Sequence, residues 1–248
     1  MSFLHLFLLF LAAIAAGAFN ALAGGGSIFT FPALIAAGVP PLLANVTNTV
    51  ALCPGYVGGV LAQRRDLKGQ GRRMAALLPV ATAGGLAGAL LLTRTSEKLF
   101  ESLVPALVLA ACGLLAMQNR VRTLLQRRSA RIPLAWAVAP VFLAAIYGGY
   151  FGAGLSVVFL AMIGLAIEDN LTRLNALKQA MSLVTNIAAA LFFAATARVV
   201  WPAAAVMAVG SLLGGAAGGR LASVVRPSTL RAIVIAVGVL LAAYFAFR

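Results

Sequence analysis

Long apolar stretches divided by short polar or basic connections run the length of the chain: Phe3 to Leu22, Val46 to Leu61, Met74 to Leu92, Leu99 to Met117, Ile132 to Phe151, Ala176 to Ala197, Val200 to Leu221 and Ile233 to Phe247. Each approaches the roughly 20 residues a membrane-crossing helix needs. The strict apolar–polar alternation of an outer-membrane strand is absent, so the predicted elements are helices that satisfy their own backbone hydrogen bonds.

The pattern repeats. Sliding the sequence by 130 positions brings Gly24 onto Gly154, Phe29 onto Phe159, Asn45 onto Asn175, Gly84 and Gly88 onto Gly214 and Gly218, and Val104 onto Val234. This predicts an all-α polytopic membrane protein of two homologous halves, residues 1–119 and 132–248, joined by a basic cytoplasmic linker at 120–131. Each half opens with a full-length apolar segment that runs into glycines, Gly24, Gly25 and Gly26 in the first and Gly152 and Gly154 in the second. A short apolar piece follows, ending at Gly38 to Pro41 or at Glu168 to Asn170. At about 1.5 Å per residue it is too short to cross alone. It is a re-entrant arm, a tilted short crossing, or the second half of one broken helix, with three spanning helices after it.

Charge discriminates among these paths. The first two options invert the second half relative to the first and leave only Arg94, Lys98, Arg198 and Arg248 outside, with the other 15 of the 19 basic residues inside. The third keeps the halves parallel and moves Arg173, Lys178 and the basic residues of 220–231 from the inside to the outside. Inverted repeats fit the preference of cytoplasmic loops for Lys and Arg better, and put the N-terminus outside.

The composition agrees with a lipid solvent: 62% of the 248 residues are hydrophobic, 10% are charged and the mean hydropathy is +1.03. The net charge of +14 sits in short connections, at Arg64, Arg65, Lys68, Arg72 and Arg73 and again from Arg120 to Arg131. That distribution reports orientation and contact with anionic lipid, and argues against a nucleic-acid partner. Cys53 and Cys112 fall in apolar segments and read as small core residues. The N-terminus, with no basic residue before its apolar run, reads as a retained first helix.

Polar residues inside a membrane are costly and mark function by default. The second half offers Asn175, Lys178, Gln179, Ser182 and Asn186 at spacings of i, i+3, i+4, i+7 and i+11, one helical face. The first half offers Asn45, Asn48, Thr49, Cys53 and Tyr56 on the equivalent face. Both stripes begin just past the interrupted region, so they are expected to meet near the glycines. Freed N–H groups at a helix start, glycine that admits close approach, and amide and hydroxyl donors suit an oxyanion, with Lys178 adding a full positive charge. The competing reading has Lys178 reaching out to headgroups and the asparagines capping helix starts. The glycine pairs 55/59, 84/88 and 214/218 read as close helix packing.

No catalytic set emerges. His5 is the sole histidine, and the five acids Asp66, Glu97, Glu101, Glu168 and Asp169 lie in or beside loops. A His-based triad, a histidine metal site and a buried carboxylate pair therefore lack material, and neither an enzyme nor a cofactor is expected.

The run Asn20-Ala-Leu-Ala-Gly-Gly-Gly-Ser, then Phe31-Pro32 and Gly38-Val39-Pro40, resembles the opening signature of the TauE/SafE sulfite-exporter family. Asn175-Ala-Leu-Lys178, Asn186, Val200-Trp201 and the glycines from Gly210 to Gly219 resemble its second-half pattern. The resemblance implies a transporter of sulfite, sulfoacetate or related organosulfonates, usually assigned to export, and supports Asn20, Gly24, Gly25, Gly26, Asn175 and Lys178 as positions of interest. Gly152-Ala153-Gly154 departs from the glycine-rich pattern of the first interruption, so the two arms contribute unequally. The expected substrate-binding set is Asn20, Gly24, Gly25, Gly26, Asn45, Asn48, Thr49, Gly152, Gly154, Asn175, Lys178 and Gln179. The expected partners are a small anion and membrane lipid, with a homodimer left open. Export by alternating access across the inner membrane leads; an uptake permease for the same anions and a non-transport scaffold subunit are the alternatives.

Overall fold

Runs of good helix formers bounded by Gly, Pro and basic turns give helices throughout a computed structural model. It describes residues 1–22, 25–126 and 133–221, together with residues 235, 236, 239, 240, 242, 243 and 245. Gly24, residues 127–131 of the expected linker and most of the last apolar stretch lie outside the described residues. The described helices are α1 (Phe3–Leu22), α2 (Ser27–Ala36), α3 (Pro41–Ala62), α4 (Gly71–Thr93), α5 (Glu97–Gln126), α6 (Ala135–Tyr150), α7 (Leu155–Ala166), α8 (Leu171–Thr196) and α9 (Trp201–Leu221). No strand occurs among the described residues. Helix α5 continues through Arg120 and Arg122 to Gln126, because arginine is a good helix former and breaks nothing.

Five helices, α1, α4, α5, α8 and α9, are long and apolar enough to cross a membrane. Helix α3 is 22 residues long but carries Asn45, Thr47, Asn48 and Thr49, which lower its hydropathy. Its start is set by Pro41 at the first helical position, where the missing N–H costs nothing. Helix α8 starts at Asn170, whose side chain accepts from the Arg173 N–H at 2.8 Å.

The packing crosses between the two sequence halves. Helix α1 lies along α9, α6 lies along α4, and α3 and α8 cross one another with α9 and α4 against their flanks. Small residues permit this approach, which in lipid must rest on van der Waals contact because the solvent is as apolar as the interface. A Cβ at Gly85 would lie 2.7 Å from the Thr185 carbonyl, and one at Gly215 would lie 2.3 Å from the Gly55 carbonyl. The 130-residue shift converts one contact into the other, Gly85 into Gly215 and Thr185 into Gly55.

Two hydrophobic cores fix the path of the short arms. Leu9 of α1, Leu34 of α2, Val39, Leu92 at the end of α4, Phe100 of α5 and Met207 of α9 share one core. Leu77 of α4, Ala137 of α6, Ile163 of α7, Ile167 and Leu174 of α8 share the other. The α1–α2 pair lines the first core together with Phe151 and Ala153 of the second interruption, and α6 and α7 line the second. In each pair a short helix packs back against the long one before it, Phe29 against Phe19 in the first. The second core lies at the basic end, beside the 63–70 connection.

Candidate functional site

Asn20 occupies the last turn of α1 and is fully buried. Its Oδ1 accepts from the Gly26 N–H at 2.7 Å, stitching the tip of the first hairpin closed. Gly25 turns the chain at φ +96°, where a side chain would be strained. One turn into α2, the Thr30 hydroxyl donates to Asn48 Oδ1 of α3 at 2.5 Å and also lies 3.4 Å from the Gly26 carbonyl. Asn48 is thus held by the hairpin.

The second tip is built differently. The Phe151 and Gly152 N–H groups both donate to the Tyr147 carbonyl, at 2.9 and 3.1 Å, while the Tyr147 hydroxyl donates to the Ala153 carbonyl at 2.5 Å. Gly152 and Gly154 take φ values of +74° and +77°, and α7 starts at once. Asn45 Nδ2 of α3 donates to the Tyr150 carbonyl at 2.8 Å, tying the first half's crossing helix to the second half's tip. The tips meet: a Cβ on Gly25 would lie 3.7 Å from the Gly154 nitrogen and 3.6 Å from Leu115 of α5, which walls the junction. Helices α2 and α7 both begin here, so the positive ends of their dipoles converge on one region.

Helix α8 presents its polar face to this junction. Lys178, Gln179 and Ser182 are fully buried and Asn186 nearly so. The Lys178 side chain does not reach the surface, which removes the headgroup reading. Ser182 Oγ lies 3.5 Å from Ser156 Oγ, two residues past Gly154 at the start of α7. Asn175 lies inside α8 and Asn45 inside α3, so neither caps its helix. Asn175 Nδ2 donates to Oε1 of Gln63, the residue that ends α3, at 2.8 Å, and Gln63 Nε2 donates to the Ala21 carbonyl at 3.0 Å. Tyr56 of α3 is buried with its hydroxyl facing the Asn20 and Asn186 side chains. Thr49 is buried and bonds the carbonyl of Asn45 on its own helix at 3.0 Å.

Four buried polar atoms of this set have no hydrogen-bond partner among the described residues beyond the contacts above: Asn20 Nδ2, Asn175 Oδ1, and both Gln179 Nε2 and Oε1. Buried polar atoms are almost always paired, so such a cluster needs an explanation. The four atoms are themselves shielded from solvent. Of the described cavities, one of about 450 Å³ is an apolar groove between α3, α8 and α9, lined by residues including Cys53, Ile187 and Trp201. Another of about 410 Å³ opens near Thr93, Glu97 and Arg198 at the end away from the basic loops.

At the basic end Asp169, before α8, accepts from Arg73 of α4 and, at 3.0 Å, from Arg173 Nε. Arg173 also donates to the Lys68 carbonyl at 3.0 Å. Burial pushes the Asp169 carboxyl up, but the two arginines and the Asn170 N–H outweigh it and hold it below the ordinary carboxylate value.

Sequence reasoning passed over Thr30, Gln63 and Ser156. Ser156 had a signal, since it follows a glycine break as Ser27 does; Gln63 looked like the first residue of a basic loop. Among the described residues no group of three or more metal-ligating side chains gathers.

A polytopic helical membrane protein whose two glycine-rich tips adjoin, with a buried lysine on a neighbouring helix, has parts found in transporters. The profile of the sulfite exporter TauE/SafE family matches residues 9–245, and the chain belongs to that family. It is 29% identical over 240 residues to the probable membrane transporter protein YfcA of Escherichia coli (strain K12), covering 95% of this chain and 87% of that one. It is 26% identical over 242 residues to the probable membrane transporter protein ORF9 of Sinorhizobium sp, covering 98% and 92%. A probable membrane transporter protein of Haemophilus influenzae is 28% identical over 236 residues, covering 92% and 89%. No solved structure matches the chain.

Proposed function

We propose that this membrane transporter exports small sulfur-containing anions, sulfite or organosulfonates such as sulfoacetate, by alternating access around the junction of its two hairpins. One observation carries the reading: the tips at Gly25 and Gly154 adjoin, so two helix N-termini point toward one region, with the Asn20 amide at one tip, Ser182 of α8 near the other, and the buried Lys178 one helical turn from Ser182. Backbone N–H groups, amide donors and one cation are the chemistry an oxyanion requires. The two halves act as inverted repeats, their hairpins serving as the elements that rock against each other.

The basic end faces the cytoplasm in this reading and the protein sits in the inner membrane. With the cytoplasm negative, each unit of negative charge carried outward gains about 2.3 kcal/mol per 100 mV, so export needs no coupled cation. The absence of any buried acid supports this: all five acidic residues lie among the described positions and each is exposed or only partly buried. Flux of labelled sulfite from proteoliposomes under an imposed potential tests the proposal. Efflux that rises with inside-negative potential is expected; flux driven only by an inward cation gradient would make the protein an uptake permease.

A further inference from the structure

We propose that the amide cluster at the end of α1 recognises the far end of an organosulfonate, admitting a neutral hydroxyl and rejecting an ammonium. This narrows the substrate class and rests on the transport reading above. The observation is the placement of the unsatisfied atoms. Asn175 Nδ2 lies 3.5 Å from the Ala21 carbonyl, and the Gln63 amide donates to the same oxygen. The Gln179 amide occupies the space left by Gly59, where a Cβ would lie 2.4 Å from Nε2 and 3.8 Å from the Ala21 Cα. The Gln63, Asn175 and Gln179 amides therefore gather around one turn of backbone, and among the atoms they leave open are a donor, Gln179 Nε2, and two acceptors, Asn175 Oδ1 and Gln179 Oε1.

A group that satisfies both kinds must donate and accept, as a hydroxyl does. An ammonium would find the acceptors but strand the donor. It would also bring a full positive charge into a buried region one residue from the like-signed Lys178, and none of the five acidic residues is buried there to neutralise it. Amide oxygens solvate a cation without cancelling its charge. The sulfonate itself is left to Lys178 and the hairpin tips.

The isosteric pair 2-hydroxyethanesulfonate and 2-aminoethanesulfonate differs only at that far end. Binding to the purified protein at neutral pH, followed by ligand-induced rise in melting temperature and by calorimetry, is expected to favour the hydroxy compound by at least about tenfold. Gln179→Glu supplies the missing carboxylate and is expected to move the ratio toward the amino compound by at least about tenfold. Its melting temperature without ligand checks the fold. Should Gln179→Glu fail to fold, Asn175→Asp at the half-buried neighbouring position gives the same readout. Equal or tighter binding of the amino compound by the unaltered protein, or a ratio that neither variant moves, overturns this inference while leaving sulfonate transport standing. If neither compound nor sulfite binds, the transport reading itself fails and takes this inference with it.

Discussion

The inner faces of the two halves begin alike and then diverge, with Asn45 matched by Asn175, Asn48 by Lys178 and Thr49 by Gln179 under the 130-residue shift. In the first half the polar groups have protein partners: Asn45 donates to Tyr150, Asn48 accepts from Thr30, and Thr49 bonds the Asn45 carbonyl. In the second, Gln179 is buried with neither amide atom bonded and Asn175 keeps an open oxygen. A duplicated frame has been kept for holding two hairpins in place on one side, and left open on the other. Satisfied polar groups position; unsatisfied ones have hydrogen-bonding capacity to spare.

The largest effect should come from the divergent pair. Lys178→Gln removes a buried full charge and is expected to cut anion flux and affinity at least about thirtyfold, the equivalent of roughly 2 kcal/mol or more. Asn48→Ala should do the converse, costing about 1 kcal/mol of stability by removing the Thr30 bond that ties α2 to α3 while anion affinity stays near normal. Parallel flux and melting measurements check the split, and a Lys178 variant that transports normally would break the comparison.

The tips differ in tolerance too. A Cβ at Gly26 would lie 2.3 Å from the Ala16 carbonyl, a backbone collision, whereas one at Gly154 meets only ordinary contacts of 3.4–3.5 Å and suffers from φ alone. Gly26→Ala is expected to destabilise by about 2–3 kcal/mol and Gly154→Ala by about 1–2 kcal/mol, measured by denaturation in detergent. The smallest effect belongs to Asp169. Its carboxyl is held below the ordinary value in the folded protein, so its contribution is present above the unfolded value and is lost as pH falls through the folded one. Asp169→Asn should cost no more than about 1 kcal/mol of stability near neutrality, read as a slightly lower melting temperature, and flatten the loss of stability below about pH 4.

Much of this was legible in residue order. Glycines interrupting apolar runs marked both tips, and the polar stripes gave the faces of α3 and α8, because helical periodicity is a local property. The return of the short arms was not legible: a piece of a dozen residues after Gly25 or Gly154 has the same pattern whether it doubles back or continues, and only its partners in the two cores decide. Nor could the sequence pair Thr30 with Asn48 or Gln63 with Asn175. The latter are 112 positions apart and meet only because α3 and α8 cross. The asymmetry between halves was visible as a glycine count; its physical content, satisfied against unsatisfied amides, required the packing.

Anomalous diffraction from crystals soaked in selenite, a heavier relative of sulfite, addresses the central claim most directly. The account predicts a selenium peak at the junction of the α1–α2 and α6–α7 tips, within hydrogen-bonding reach of backbone N–H groups and the α8 polar face. Selenium found only on the basic loops, or tips that lie apart with apolar side chains between them, would contradict it.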